Sequence, residues 1–170
     1  IALLRPEKKI GLLIKAFSDL LLERPDCQLT IAGNGSERKV LWALIQKLNL
    51  TDRVKLVGYQ SPTGVRELLH KSQALILPST VETFGVALIE AMACGLPVLA
   101  TRCGGPEDIV TPETGLLVEK NNRFALMRGM VDLIERKNQF NSRKIREYAV
   151  RQFGVKTFTD KYTELLSGII

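Results

Sequence analysis

Histidine occurs once in the 170 residues, at His70, and cysteine three times, at Cys27, Cys94 and Cys103, without C-x-x-C spacing. One imidazole and three scattered thiols do not assemble a metal cluster, and an odd, unpaired set speaks for free, mostly buried thiols rather than a disulfide framework. Long apolar runs are missing as well. The longest extend over a few residues, too short for a membrane-spanning helix, and no basic-then-apolar leader opens the chain, so a cytoplasmic location is expected. Aromatic residues do not interleave with basic ones, which argues against nucleic acid as a partner. A P-loop is excluded because G-K-[ST] does not occur, and a dinucleotide fingerprint because Arg38 stands where G-x-G-x-x-G needs its third glycine.

What is present points to one enzyme-sized domain. An apolar share of 45% over 170 residues suffices for a single core and not for two full-sized ones. The net charge of +6 is concentrated in one region: between Arg123 and Lys161 there are ten Lys/Arg against four Asp/Glu, which accounts for the whole excess. Solvated helix faces explain such an excess. Peripheral contact with the anionic inner face of a membrane is the second reading.

Along the chain, apolar segments alternate with helical periodicity. Ile1 to Leu4 reads as a strand already under way. Ile10, Leu13, Ile14, Phe17, Leu20 and Leu21 then recur at helical spacing, ended by Arg24-Pro25-Asp26. Gln28 to Ala32 is a second strand, and Gly33-Asn34-Gly35-Ser36 turns into a helix whose shared face is Val40, Leu41, Leu44, Ile45 and Leu48. A lone G-x-G is as readily a tight turn as a phosphate loop. Val54 to Val57, Ala74 to Leu77, Val98 to Thr101 and Gly115 to Val118 supply four more strands, with a short helix on Val65, Leu68 and Leu69 that ends near His70. A histidine in a last helical turn favours the dipole and is given no catalytic role. Three helices follow, carrying Phe124, Met127, Met130, Val131 and Ile134, then Ile145 to Phe153, then Phe158, Tyr162, Leu165 and Leu166. The expected fold is α/β: a Rossmann-like, doubly wound parallel sheet of about six strands with helices on both faces and a helical C-terminal segment.

The chain is organised around Leu75 to Pro97. A buried strand is halted by Pro78. Thr83 is the expected N-cap of a helix over Phe84 to Cys94, with Gly95 as a left-handed C-cap residue and Pro97 as the stop. The free N–H groups of Phe84, Gly85 and Val86 at this N-terminus form an anion site suited to phosphate. Glu82 and Glu90 bracket the helix. Eight residues at ~1.5 Å rise set them about 12 Å apart, beyond the roughly 5–9.5 Å of paired hydrolytic carboxylates. They fit instead different parts of one elongated ligand, with phosphate in the middle and a sugar at either end; two solvated glutamates flanking a core helix is the plainer alternative. In an open parallel sheet ligands lie beyond the carboxyl ends of the strands, and Gly33 to Gly35, Gly58-Tyr59, Ser79 to Gly85 and Gly104-Gly105 each follow such an end.

Pro78-Ser79-x-x-Glu82-x-Phe84-Gly85 with Glu90-Ala91-Met92-Ala93-Cys94-Gly95-Leu96-Pro97-Val98 resembles the Glu-x7-Glu signature of retaining GT-B glycosyltransferases, the group 1 or family-four class. The resemblance extends over Pro6-Glu7-Lys8, Ala32-Gly33-Asn34-Gly35, Val57-Gly58-Tyr59, Gly104-Gly105-x-Glu107 and Thr114 to Val118. It implies that residues 1–170 are the C-terminal nucleotide-sugar-binding half of a GT-B fold, with a truncated first strand and without the N-terminal acceptor domain. By the same resemblance Glu90 holds the nucleotide ribose and Glu82 is the catalytic, sugar-side carboxylate. Arg5, Lys8, Gly33, Gly35, Gly58, Tyr59, Ser79, Thr83, Phe84, Gly85, Val86, Gly104 and Gly105 complete the donor site. The family's usual arginine position reads as Leu3, with Ala2 in place of the preceding glycine; either Arg5 substitutes from a shifted register or phosphate affinity is weakened.

The implied reaction transfers a glycosyl group from a nucleoside diphosphate sugar to a hydroxyl, with retention, in polysaccharide, lipopolysaccharide or glycolipid synthesis. Neither metal nor other cofactor is implied, and the partner would be a sugar or lipid-linked acceptor bound through the missing domain. The rivals are a non-catalytic nucleotide-binding or regulatory module and a phosphorylase-like enzyme. A receiver-like module wants an acidic cluster where Leu3-Leu4-Arg5 stands, and the cofactor-binding lysine motif of a phosphorylase is not found.

Overall fold

A computed structural model describes residues 1–167, apart from the side chains of Lys161 and Leu165. Five parallel strands are formed: β1 (Leu29–Ala32), β2 (Val54–Gly58), β3 (Leu75–Leu77), β4 (Val98–Thr101) and β5 (Gly115–Val118). They belong to two sheets, β1-β2 and β3-β4-β5, with Leu29 opposite Val54, Leu75 opposite Val98 and Val98 opposite Gly115. β4 is central and buried along its whole length, the position for which an uninterrupted apolar run is suited.

Helices connect and cover the strands: α1 (Ile10–Glu23), α2 (Arg38–Lys47), α3 (Pro62–His70), α4 (Val86–Ala93), the single turn α5 (Pro106–Ile109), α6 (Arg123–Glu135), α7 (Ser142–Phe153) and α8 (Val155–Ser167). α1 packs on α6 and α2, and α7 lies against α4. The core runs from Leu4, Ile14 and Phe17 through Leu88, Met92 and Leu99 to Leu126 and Ile145. No helix among the described residues is long and apolar enough to cross a membrane.

The sixth strand expected at Ile1 to Leu4 does not form. Ala2 N–H donates to Ala32 O (3.0 Å) and Leu4 N–H to Asn34 O (2.8 Å), which ties the segment to the end of β1. Gly33, between the two accepting residues, has φ 134°, so the pairing is not a regular β ladder. Between β1 and β3 lies a pocket of about 550 Å³, lined by apolar residues such as Ile1, Phe17 and Met130 and by polar ones such as Asp26, Thr30 and Lys71. None of the expected site residues lines it.

Facing was misread at two helices: Val40 on α2 is 65% exposed and Phe124 on α6 is 67% exposed, so Leu41 and Ile45, and Met127, Met130 and Val131, carry those contacts. The three cysteines are free and half-buried. Leu165, read as part of the last apolar stripe, lies outside the described side chains.

Candidate functional site

A 3₁₀ turn at Pro6–Lys8 meets the loop that follows β3. Proline at its first position fixes φ for the turn. The turn is fastened by Thr80, whose N–H (2.8 Å) and hydroxyl (3.1 Å) both donate to Glu7 O. This places Lys8 beside the segment that leaves β3. Lys8 Nζ donates to Glu82 Oε2 at 2.7 Å, with the two side chains 21% and 17% exposed.

Glu82 itself is fixed by its backbone. Its N–H donates to Cys103 O (3.2 Å), and its carbonyl accepts from Gly105 N–H (2.7 Å), a bridge between the loops after β3 and β4. Both glycines of that second loop are required by contact distance: a Cβ at Gly104 would lie 2.8 Å from Glu82 O, and one at Gly105 2.7 Å from Thr83 O. Gly104 also has φ 116°, a conformation that favours glycine. The loop is held in turn by Glu107, whose Oε2 accepts from the N–H groups of Cys103 (3.0 Å) and Gly104 (3.1 Å). Burial pushes the Cys103 thiol up from its ordinary pKa, and the charges of Glu107 and Glu82 add to the effect.

The anion site differs from expectation in its details. α4 begins at Val86, not Phe84, and its N-cap is Gly85 rather than Thr83, with φ 84° and ψ 45°. Left-handed Gly85 breaks the helical path, and Thr83 and Phe84 bend between it and the pinned Glu82. Leu88 N–H turns back to Gly85 O (2.9 Å), so within α4 the donors left at this end are those of Val86 and Ala87, and the N–H groups of Phe84 and Gly85 just before it have no acceptor among the described residues. No side chain caps them. At the other end Gly95, with φ 81°, closes the helix as expected: its N–H reaches Met92 O (2.8 Å) and that of Leu96 reaches Ala91 O (3.0 Å). The 12 Å separation expected of Glu82 and Glu90 does not apply as argued, because residues 82 to 85 are outside the helix.

Lys8, Glu82, Gly104, Gly105, Thr83, Phe84, Gly85 and Val86 are therefore brought together. Glu90 is exposed on α4, and Tyr59, after β2, is 74% exposed. Arg5 is exposed at the start of the 3₁₀ turn and, among the described residues, forms no ion pair; Leu3 is half exposed. Gly33 and Gly35 serve close approach of the N-terminal segment, since a Cβ would lie 1.7 Å from Ala2 O and 2.3 Å from Leu4 O respectively. Gly58 takes φ 73° and accepts from Gly33 N–H (2.7 Å), which joins the two loops.

Ser79 is wholly buried, and its Oγ has no hydrogen-bond partner among the described residues, while its carbonyl accepts from the buried Thr101 hydroxyl. Ser79→Ala is expected to raise stability by about 0.5–1 kcal/mol in urea unfolding, since an unpaired buried hydroxyl is removed. A loss would show that a bound water satisfies it.

Sequence reasoning left Glu107, Thr80 and Thr101 without roles. Only Glu107 had a readable signal, a carboxylate three residues after Gly104 with the reach-back spacing of a capping box.

The family model described as "Glycosyl transferases group 1" matches residues 1–152. The chain belongs to this family. N-acetyl-alpha-D-glucosaminyl L-malate synthase of Bacillus anthracis is 31% identical over 169 residues, which cover 98% of this chain and 44% of that protein. Among solved structures, Anabaena HepE in complex with UDP matches with a TM-score of 0.88 and 27% identity, over 99% of this chain and 47% of HepE. Sucrose-phosphate synthase from Thermosynechococcus elongatus matches with a TM-score of 0.88 and 28% identity, over 99% and 44%. This group 1 chain thus spans less than half the length of these relatives, and its fold is one half of a GT-B fold.

Proposed function

We propose that this chain is the donor-binding, C-terminal half of a retaining glycosyltransferase, which holds a nucleoside diphosphate sugar at the carboxyl ends of β3 and β4. The observation that carries the reading is the Lys8 ammonium set against the Glu82 carboxylate at 2.7 Å, next to the open N-terminus of α4. A cation and backbone amides suit a diphosphate, and a carboxylate suits sugar hydroxyls. The relatives whose structures hold UDP support the same reading. Nothing in the geometry favours a regulatory module.

In the reaction the bond from the anomeric carbon to the diphosphate oxygen breaks, and the electron pair leaves with the diphosphate. The acceptor hydroxyl forms the new bond on the same face and passes its proton to the departing diphosphate oxygen. Lys8 and the amides of Val86 and Ala87 stabilise the negative charge that develops on the leaving group, an electrostatic role that calls for no metal. Glu90 binds the ribose hydroxyls, and the glycine loop at Gly104 and Gly105 keeps Glu82 at the sugar. The acceptor is held by a domain preceding this one in the full-length protein.

Calorimetry with UDP and GDP tests the reading. One of them is expected to bind weakly; the absence of heat and of any thermal shift with either at millimolar concentration overturns it.

A further inference from the structure

We infer that Glu82 competes internally for the Lys8 ammonium, so that the site prefers an intact sugar nucleotide to the free nucleoside diphosphate. The inference rests on the donor-site reading above and adds to it a source of selectivity.

Both partners are held where they meet. Lys8 is carried by a turn bonded to Thr80, and Glu82 by backbone bonds to Cys103 and Gly105 on either side. Among the described residues neither takes part in another ion pair. With each side chain about four-fifths covered, the attraction is screened less than at an open surface. A phosphate that recruits Lys8 must draw the ammonium away from Glu82 or share it. The carboxylate then faces added negative charge.

The two ligands differ in what they return to Glu82. A sugar nucleotide carries hydroxyl groups beside its diphosphate, and these donate to the carboxylate that Lys8 has left. A free nucleoside diphosphate has no group at that place, so Glu82 stays unpaired and repels it. Once the sugar has been transferred, the same imbalance favours re-formation of the Lys8–Glu82 pair and departure of the diphosphate product.

The test is titration calorimetry of the wild type, Glu82→Gln, Lys8→Met and the double variant with UDP and with UDP-glucose. Glu82→Gln is expected to bind UDP about three- to tenfold more tightly, the effect of removing one partly buried ion pair. It is expected to bind UDP-glucose no more tightly, so the preference between the ligands narrows. In the Lys8→Met background the gain for UDP should vanish. A Glu82→Gln variant that melts like wild type but binds UDP within twofold of it, or less tightly, overturns the inference. Should that variant not fold, Glu82→Asp, one methylene short of the 2.7 Å contact, must shift UDP affinity in the same direction. If the wild type binds GDP and not UDP, the same titrations are read with GDP and GDP-mannose; if it binds neither nucleoside diphosphate, the donor-site reading falls and this inference with it, and if it binds one and neither Glu82 variant gains, the competition alone is rejected.

Discussion

Glu90→Ala is expected to weaken nucleoside diphosphate binding by about 1.5–3 kcal/mol, roughly tenfold to more than a hundredfold in Kd. On the proposed reading the magnitude follows from the loss of hydrogen bonds between a charged acceptor and ribose hydroxyls. The fold contributes little to it. Glu90 is exposed on α4 and forms no ion pair among the described residues, whereas Leu88, Ala91 and Met92 carry the buried face of the helix. An exposed side chain of this kind changes stability by about 0.5 kcal/mol or less when truncated. Calorimetry on the wild type and the variant, with melting curves for each, separates the two effects. An affinity within twofold of wild type, with folding intact, would remove Glu90 from the ribose.

The contrast between the two ends of α4 shows which features could be read in advance. Gly95 was legible because a left-handed residue followed by Leu96-Pro97 is local chemistry, decided within a few positions. Thr83 was an equally reasonable N-cap by residue type. It lost to Gly85 because Glu82 is fastened to Cys103 and Gly105, about twenty positions away in sequence. The same distinction holds elsewhere. β4 was read to the residue because Val98, Leu99 and Ala100 form the uninterrupted apolar run of a strand buried on both sides and Thr101 closes it, while the exposure of Val40 and Phe124 depended on which neighbours the helices met. Lys8 and Glu82 were each named from motifs, but their pairing is a contact across 74 positions that no local pattern encodes. Gly33 and Gly35, taken as candidates for ligand approach, are explained by the passage of Ala2 and Leu4 over them.

Residues 1–170 alone are expected to transfer no sugar, even where they bind the proposed donor. On the proposed reading each named group acts on the donor: Lys8 and the α4 amides on phosphate, Glu82 on the sugar and the exposed Glu90 on the ribose. His70, at the end of α3 and exposed, is not among them. The chain spans 44–47% of the relatives compared, and half of a cleft leaves the acceptor hydroxyl unpositioned. Holding two reactants in place is worth about 7–11 kcal/mol of barrier, so without an acceptor wall the reaction should stay near its uncatalysed rate even with the donor fully bound. Incubation with radiolabelled UDP-sugar and a broad pool of sugar and lipid acceptors measures this directly. Turnover at an ordinary enzymatic rate, around 1 per second or more, would show the donor half to be sufficient. Addition of the preceding domain, on the same polypeptide, should restore transfer, and Lys8→Met in that longer protein should lower kcat more than it raises KM, because the charge Lys8 meets is largest as the diphosphate departs.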